Sequence, residues 1–573
     1  MTTLNRYYQQ ELSHLRQLAG EFAQRNPALA PMLSSETTAD PDVERLLEGV
    51  AFLTGLLRQR IDDEFPEFVQ ELAQIVFPHY LRPVPCMTML VFEPRGRMGG
   101  ATSIPAGTEI ASVPVDGVQT RFRTTTPVTV EPLHLQGVEW EGSGGQERTL
   151  RLDFAFDDML PDAWTGDRIR LFLGDSYGDA VRWFHLLTRE VRALSVFAAE
   201  GGESLLLGPN AFELAGFAPD NYVVPYPDHA YPGFRLLQEY FALPEKYLFL
   251  DLVGLSRWKA RGSGRFSVRV RFNRLPEWTP EVRASSFLLN VAPSINLFEQ
   301  DAQPIRLDHR YPEYRVAPSA RGQNTHVYSV DQVLGYRQNG QEVEYAPFTW
   351  FKQGQPGYSL RYRPSPLERD VDCYLSVPYQ AGQKLETETL SLHLTCTHGT
   401  LPESLKIGDI CEPSDRSPER FRFRNLRHVT PYRAPPLGEA LLWRMISHLS
   451  CNYLSMGSVE TLHSLLSLYV FDGRGEHKTE QANRKVIEGI EAVSIEHERR
   501  LVRGMPVEGS RIRLSCRGDH YLNLSSLYLF GCVLDEFFAG YAALNTFTAF
   551  SVIDSLTGET LTWPARIGRQ RLI

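Results

Sequence analysis

The chain has 573 residues, 42% of them hydrophobic and 22% charged, and carries a net charge of −10. That is the composition of a globular protein of about three to four domains with ample core. With no long basic run, it excludes nucleic acid or anionic lipid as the main ligand, because phosphate binding needs clustered Lys and Arg.

Nowhere do eighteen uncharged apolar residues follow one another, and the opening MTTLNRYYQQELSHLR has no basic-then-apolar leader pattern, so a cytoplasmic protein without direct membrane insertion is expected. Seven cysteines scattered from Cys86 to Cys532, with no CxxC, argue against a disulfide framework and for reduced, structural thiols.

Leu4, Tyr8, Leu12, Leu15, Leu18 and Phe22 recur at helical spacing, which predicts a first helix over Thr3 to Arg25, ended by Asn26 and Pro27. A second start signal stands at Asp40. Asp40 is placed as N-cap, Pro41 at the first helical position, and Asp42 and Glu44 in the first turn beside the positive end of the helix dipole.

From there Val43, Leu46, Val50, Leu53, Leu57 and Ile61 form one apolar stripe, widened by Leu47, Phe52 and Leu56. A helix so broadly apolar is buried among its own chain or waits for a partner. Pro66, flanked by Asp62, Asp63, Glu64 and Glu67, is expected to close this helix and open another. The four acids read as solvated helix ends, with no His or Cys nearby to build a catalytic or metal site.

After Pro85 the pattern changes to alternating β-formers broken by Gly and Pro, from TMLVFEP through YLFLDLVGL and RFSVRVRFN to TLSLHLTC. Asn210 to Tyr231 reads as a long ordered loop near a domain boundary. RFRFRNLRH at Arg420 to His428 alternates Arg and Phe and reads most simply as a strand with one wet face, a local basic partner surface being the alternative. Helical period returns from Leu437 and at SVETLHSLLSLYVF, strands follow at Ala492 to Val502 and Ser510 to Cys516, and a long apolar helix is expected over Leu524 to Asn545.

The fold class predicted is therefore α+β. It comprises a helical N-terminal assembly unit (1–85), two β-rich domains (86–215 and 216–401) and a mixed α/β C-terminal domain (402–573) with long apolar helices.

Three patterns test for chemistry. Gly174, Asp175, Ser176, Tyr177 and Gly178 match G-x-S-x-G between a strand-like RIRLFL and a helix-like DAVRWFHLL, the setting of a nucleophile elbow. No oxyanion-hole loop precedes it and His185 lies too near along the same helix, so a capped strand-to-helix turn is the simpler reading. His393, Cys396 and His398, with Cys373, would offer zinc at most two convergent ligands from one strand. The glycines near Gly142 and Arg261 lack the residues of a phosphate loop and read as turns. No cofactor is indicated.

Long blocks of the chain resemble a known family. YYQQELSHLRQLAGEFAQRNP, DPDVERLLEGVAFLTGLLRQRIDDEFPE, HYLRPVP, APSINLFEQDAQPIRLDHRYPEYRV, LLWRMISHLSCNYLSMGS, LYLFGCVLDEFFAGYAALNTFT and WPARIGRQRL are similar to blocks of the TssF family of type VI secretion baseplate wedge subunits.

The resemblance implies a structural protein and no enzyme. Its implied partners are TssG, with a second copy of itself, the TssK adaptor, TssE, the VgrG spike hub and the sheath, at a membrane-docked complex. On this reading Leu46, Val50, Leu53 and Leu57 of the N-terminal helix, and Leu529, Phe530, Leu534 and Phe538 of the C-terminal one, form partner interface. The alternative is a serine hydrolase on Ser176 or a carbohydrate-active protein with Trp140, Trp183, Trp258 and Trp350 lining its site.

Overall fold

The computed structural model describes residues 8–9, 11–16, 18–19, 41–142, 148–157, 163–198, 204–227, 232–258, 264–319, 324–337, 340–347, 356–365, 370–378, 387–437, 441, 444, 457–470, 477–502, 505–542 and 546–568. The fold is α+β, with strands, mostly in antiparallel pairs, outnumbering helices among the described residues.

The first long element is a single helix, α1 (Pro41–Val76), of 36 residues. It runs straight through Pro66, where a break was expected. Proline withdraws one donor from the helical ladder, but tertiary contacts hold the turns beyond it: Val69, Ala73 and the following Phe77 are buried in the main core. Those last turns pack on the strand Gly357–Pro364. A separate helical N-terminal unit is therefore not what the described residues form. Most of the expected first helix, and of the segment after Leu437, lies outside them.

The β-rich middle is interleaved. One five-stranded antiparallel sheet takes its strands in the order Phe421–Asn425, Met87–Pro94, Val291–Ile295, Val118–Thr124 and Glu109–Val115. It therefore crosses the divisions expected at 215 and 401. A second five-stranded sheet joins Leu205–Leu207, Val191–Ala198, Arg265–Phe272, Thr149–Phe156 and Leu133–Glu141. A four-stranded sheet holds Phe212–Leu214, Phe249–Val253, Arg168–Leu173 and Phe287–Leu288.

The largest sheet has its longest ladder between Glu388–Thr397 and His326–Arg337. Glu388 to His393 there alternate buried and exposed, as a strand with one wet face must.

Two shorter helices lie between strands of the middle, α2 (Tyr177–Arg189) and α3 (Pro232–Ala242). Between them in sequence, Val223 and Val224 are buried, and their N–H groups donate to Oε1 of Glu239 at 2.7 and 2.9 Å. The expected loop is thus stitched into the interior. Glu239 also accepts from Lys246, a buried ion pair whose ammonium has its pKa lowered by desolvation and held up in part by Glu239.

Towards the C-terminus come α4 (Val459–Ser467), α5 (His477–Glu488) and a long hairpin of Ile490–Val502 with Met505–Cys516. The chain then forms α6 (Leu524–Tyr541) and returns as Phe547–Asp554, parallel to Met505–Cys516. Parallel pairing needs such a crossover helix. α6 covers that sheet and touches α2 and α3 as well. One hydrophobic core thereby runs from Val69 to Leu561, and a smaller one gathers Phe92, Phe122 and Phe423.

Candidate functional site

The predicted interface residues separate into two groups. On α1, Leu46 is 69% exposed, Leu53 61% and Val50 40%, and Phe52 and Leu56 are exposed beside them. The side chain of Leu57 lies outside the described residues. At 100° per residue, Leu46, Val50 and Leu53 fall along one line of the helix. The buried positions of this stretch are Ala51 and Gly55, on the opposite side.

The large apolar side chains thus face outward and the small ones inward. Burying a Leu or Val is worth about 1.5–3 kcal/mol, so this stripe forgoes a large stabilisation in the lone chain. Monomeric proteins rarely leave large contiguous apolar patches exposed.

The four residues expected on α6 sit differently. Leu529, Leu534 and Phe538 are 0% exposed and Phe530 1%, all inside the main core. Phe530 packs against Tyr240 with ring centroids 5.2 Å apart, and Phe538 against Phe550 at 5.6 Å. α2, α3 and the returning strand cover this helix, so these four residues are withdrawn from the interface.

The start of α6 is fixed by a capping box. Oδ1 of Asn523 accepts the Ser526 N–H at 2.8 Å, and Oγ of Ser526 accepts the Asn523 N–H at 3.2 Å. Near its end Arg566 pairs with the buried Asp535 and with Glu536. Desolvation pushes the Asp535 carboxyl up to about 6, with Arg566 opposing that rise.

Ser176 is the N-cap of α2. Its Oγ accepts the Asp179 N–H at 3.4 Å and donates to Oδ2 of Asp179 at 3.0 Å. The preceding Asp175 is buried, accepting from Ser285 at 2.7 Å and from Ser286. A Cβ at Gly174 would lie 2.6 Å from the Ser285 carbonyl oxygen, so only glycine fits that turn. The motif is met by local packing needs. His185 faces elsewhere: its Nδ1 is 3.1 Å from Oγ of Ser525, and its ring stacks on Tyr528 at 4.4 Å and Trp278 at 5.1 Å.

The metal pattern disperses in the same way. His393 is exposed and pairs with Asp301 at 3.0 Å, while the buried His398 lies 3.1 Å from Nδ2 of Asn296. Among the described residues no three His, Cys, Asp or Glu side chains gather to hold an ion. Cys373 and Cys396 are buried thiols, each pushed up to about 12 by desolvation. Trp183 and Trp258 are core residues, and Trp140 stacks on Trp183 at 5.8 Å. Trp350 lies outside the described residues.

What the sequence reading missed is the inward placement of Ala51 and Gly55. Their i, i+4 spacing of small residues opposite a stripe of large ones was the available signal.

Comparison with known proteins gives a consistent picture. A family profile described as "Type VI secretion system, TssF" matches residues 1–570. The type VI secretion system component TssF1 of Pseudomonas aeruginosa is 30% identical over 617 aligned positions, covering 98% of each chain. A chain in the cryo-electron microscopy structure of the TssK-TssF-TssG baseplate subcomplex superposes with a TM-score of 0.78 at 28% identity, over 92% of this chain and 99% of that one. A chain in a structure of the type VI baseplate complex gives 0.62 at 25% identity, over the full length of both. Among the described residues no helix is long and apolar enough to cross a membrane.

Proposed function

Because this chain belongs to the TssF family of the type VI secretion system, we propose that it is a structural subunit of the baseplate wedge, assembling with a TssG-like protein and a second copy of itself. The observation that carries this reading is the outward-facing stripe of Leu46, Val50, Phe52, Leu53 and Leu56 on α1. A protein that works alone has little use for such a surface.

The similarity to a chain of a TssK-TssF-TssG subcomplex supports TssG and TssK as neighbours. TssE, the VgrG spike hub and the sheath complete the set proposed for a ring around the spike. The work is mechanical. Interfaces form, hold and rearrange as the sheath contracts, with no bond made or broken. Ser176 serves this reading as a helix cap, its hydroxyl engaged with Asp179 of its own first turn.

The test is a co-purification. Leu46→Glu with Leu53→Glu should abolish retention of a TssG-like protein co-expressed with this chain, while the variant stays soluble with an unchanged melting temperature. Undiminished retention would place the interface elsewhere.

A further inference from the structure

Within the basic stretch at Arg420 to His428, Phe421–Asn425 is an edge strand set beside a groove. Phe421, Phe423 and Asn425 point inward and are buried, leaving Arg422 and Arg424 on the exposed face. The neighbouring strand places Glu93 opposite Arg422 and Val91 opposite Arg424. The Arg95 N–H donates to the Arg420 carbonyl at 2.9 Å, which extends the ladder and sets two arginines opposite each other.

Like charges directly opposite across a sheet are destabilising. Arg95, Arg420, Arg422 and Arg424 thus share one face, with Glu93 reaching Arg424 at 3.4 Å and Glu419 next in sequence to Arg420. Four guanidiniums against two carboxylates leave this face positive on a chain whose net charge is −10.

Val91 and Glu93 also line a groove of about 400 Å³. Its apolar wall is Leu133, Leu135, Phe287, Leu288 and Leu289, and it also carries Asp157, whose carboxylate is paired with His134 at 3.0 Å. The strands Leu133–Glu141 and Phe287–Leu288 are both outermost in their sheets, so the groove lies where sheet edges meet. Charged residues on an edge strand can simply ward off unwanted pairing. That role does not require an apolar hollow alongside, nor arginine facing arginine.

We propose that this face docks an extended acidic segment of a partner protein, with an apolar anchor of the segment entering the groove and its flanking carboxylates meeting Arg95, Arg420, Arg422 and Arg424. Guanidinium forks suit carboxylates by geometry, and the groove selects segments that carry a hydrophobic residue among the acids. The site is separate from the α1 stripe, so loss of either surface leaves the other to be measured.

The experiment uses the full chain and a fluorescein-labelled twelve-residue peptide of Asp and Glu around a central Leu-Phe pair, read by anisotropy. Saturable binding is expected, weakened by at least about tenfold in Arg422→Glu with Arg424→Glu and on raising the salt. A Ser-Ser peptide in place of Leu-Phe should lose a similar factor, and a lysine version should not bind. Both substitutions lie on an exposed face, and an unchanged melting temperature verifies the fold.

Equal affinity of the charge-reversed variant, equal affinity for the Ser-Ser peptide, or binding to anionic lipid vesicles without peptide binding would each overturn the assignment. The arginines would then be guards of an open edge.

Discussion

The carboxamide of Gln70 takes the place of a strand residue beside Tyr362. Its Nε2–H donates to the Tyr362 carbonyl at 2.8 Å and its Oε1 accepts the Tyr362 N–H at 2.9 Å. One turn on, Gln74 donates to the Leu360 carbonyl. Side chains thus fasten the end of α1 to a sheet as backbone would. Gln70→Ala leaves two backbone groups of Tyr362 without these partners, and each unsatisfied buried group costs about 1–3 kcal/mol. The expected outcome is a lower melting temperature and faster proteolysis ahead of Phe77. Wild-type resistance would show that the apolar contacts of Val69 and Ala73 suffice.

Ser176→Ala tests the cap. Losing an N-cap hydroxyl costs about 1 kcal/mol, so a modest drop in unfolding free energy is expected, largely recovered in Ser176→Asp. A serine-directed fluorophosphonate should label wild type and variant equally little. Labelling that disappears in Ser176→Ala would reinstate a nucleophile.

Acid should weaken the contact between α2 and α6. Burial, with Arg189 nearby, lowers the His185 pKa from 6.5 to about 3. Between those values the unfolded chain binds a proton that the folded chain refuses, so stability falls as pH drops below 6.5 and the loss is complete near 3. One such group contributes a slope of at most about 1.4 kcal/mol per pH unit. The buried His398, also lowered to about 3, adds to it with the same sign. Denaturant unfolding of His185→Gln between pH 7 and pH 4 should show a shallower slope than wild type. Parallel slopes would mean that His185 is solvated.

Much of this architecture could be read from local sequence. The strands of the middle, the cap at Ser176 and the wet arginines of Phe421–Asn425 follow from alternation and turn chemistry. The stripe on α1 was legible as a stripe. What covers a stripe was not. Leu46 lies on the apolar stripe of an amphipathic helix and Leu534 in a helix apolar nearly all round; one faces out and the other lies beneath α2 and α3, elements some 300 to 350 positions earlier in the chain. Hydropathy records the need for a cover and not its source. The same blindness to distance hid the pairing of Met87–Pro94 with Phe421–Asn425. Pro66 misled for a related reason: its local helix-breaking tendency is outweighed by anchoring at Val69 and Ala73.

The placement of α6 has a consequence for biosynthesis. Phe184, Tyr240 and Phe241 leave the ribosome long before Leu527, Phe530 and Phe537, which close over that region. A nascent chain stalled ahead of Leu524 therefore presents an open, greasy interior. Such a fold closes only once the stretch from Leu524 onward has emerged, and until then the exposed interior is open to aggregation.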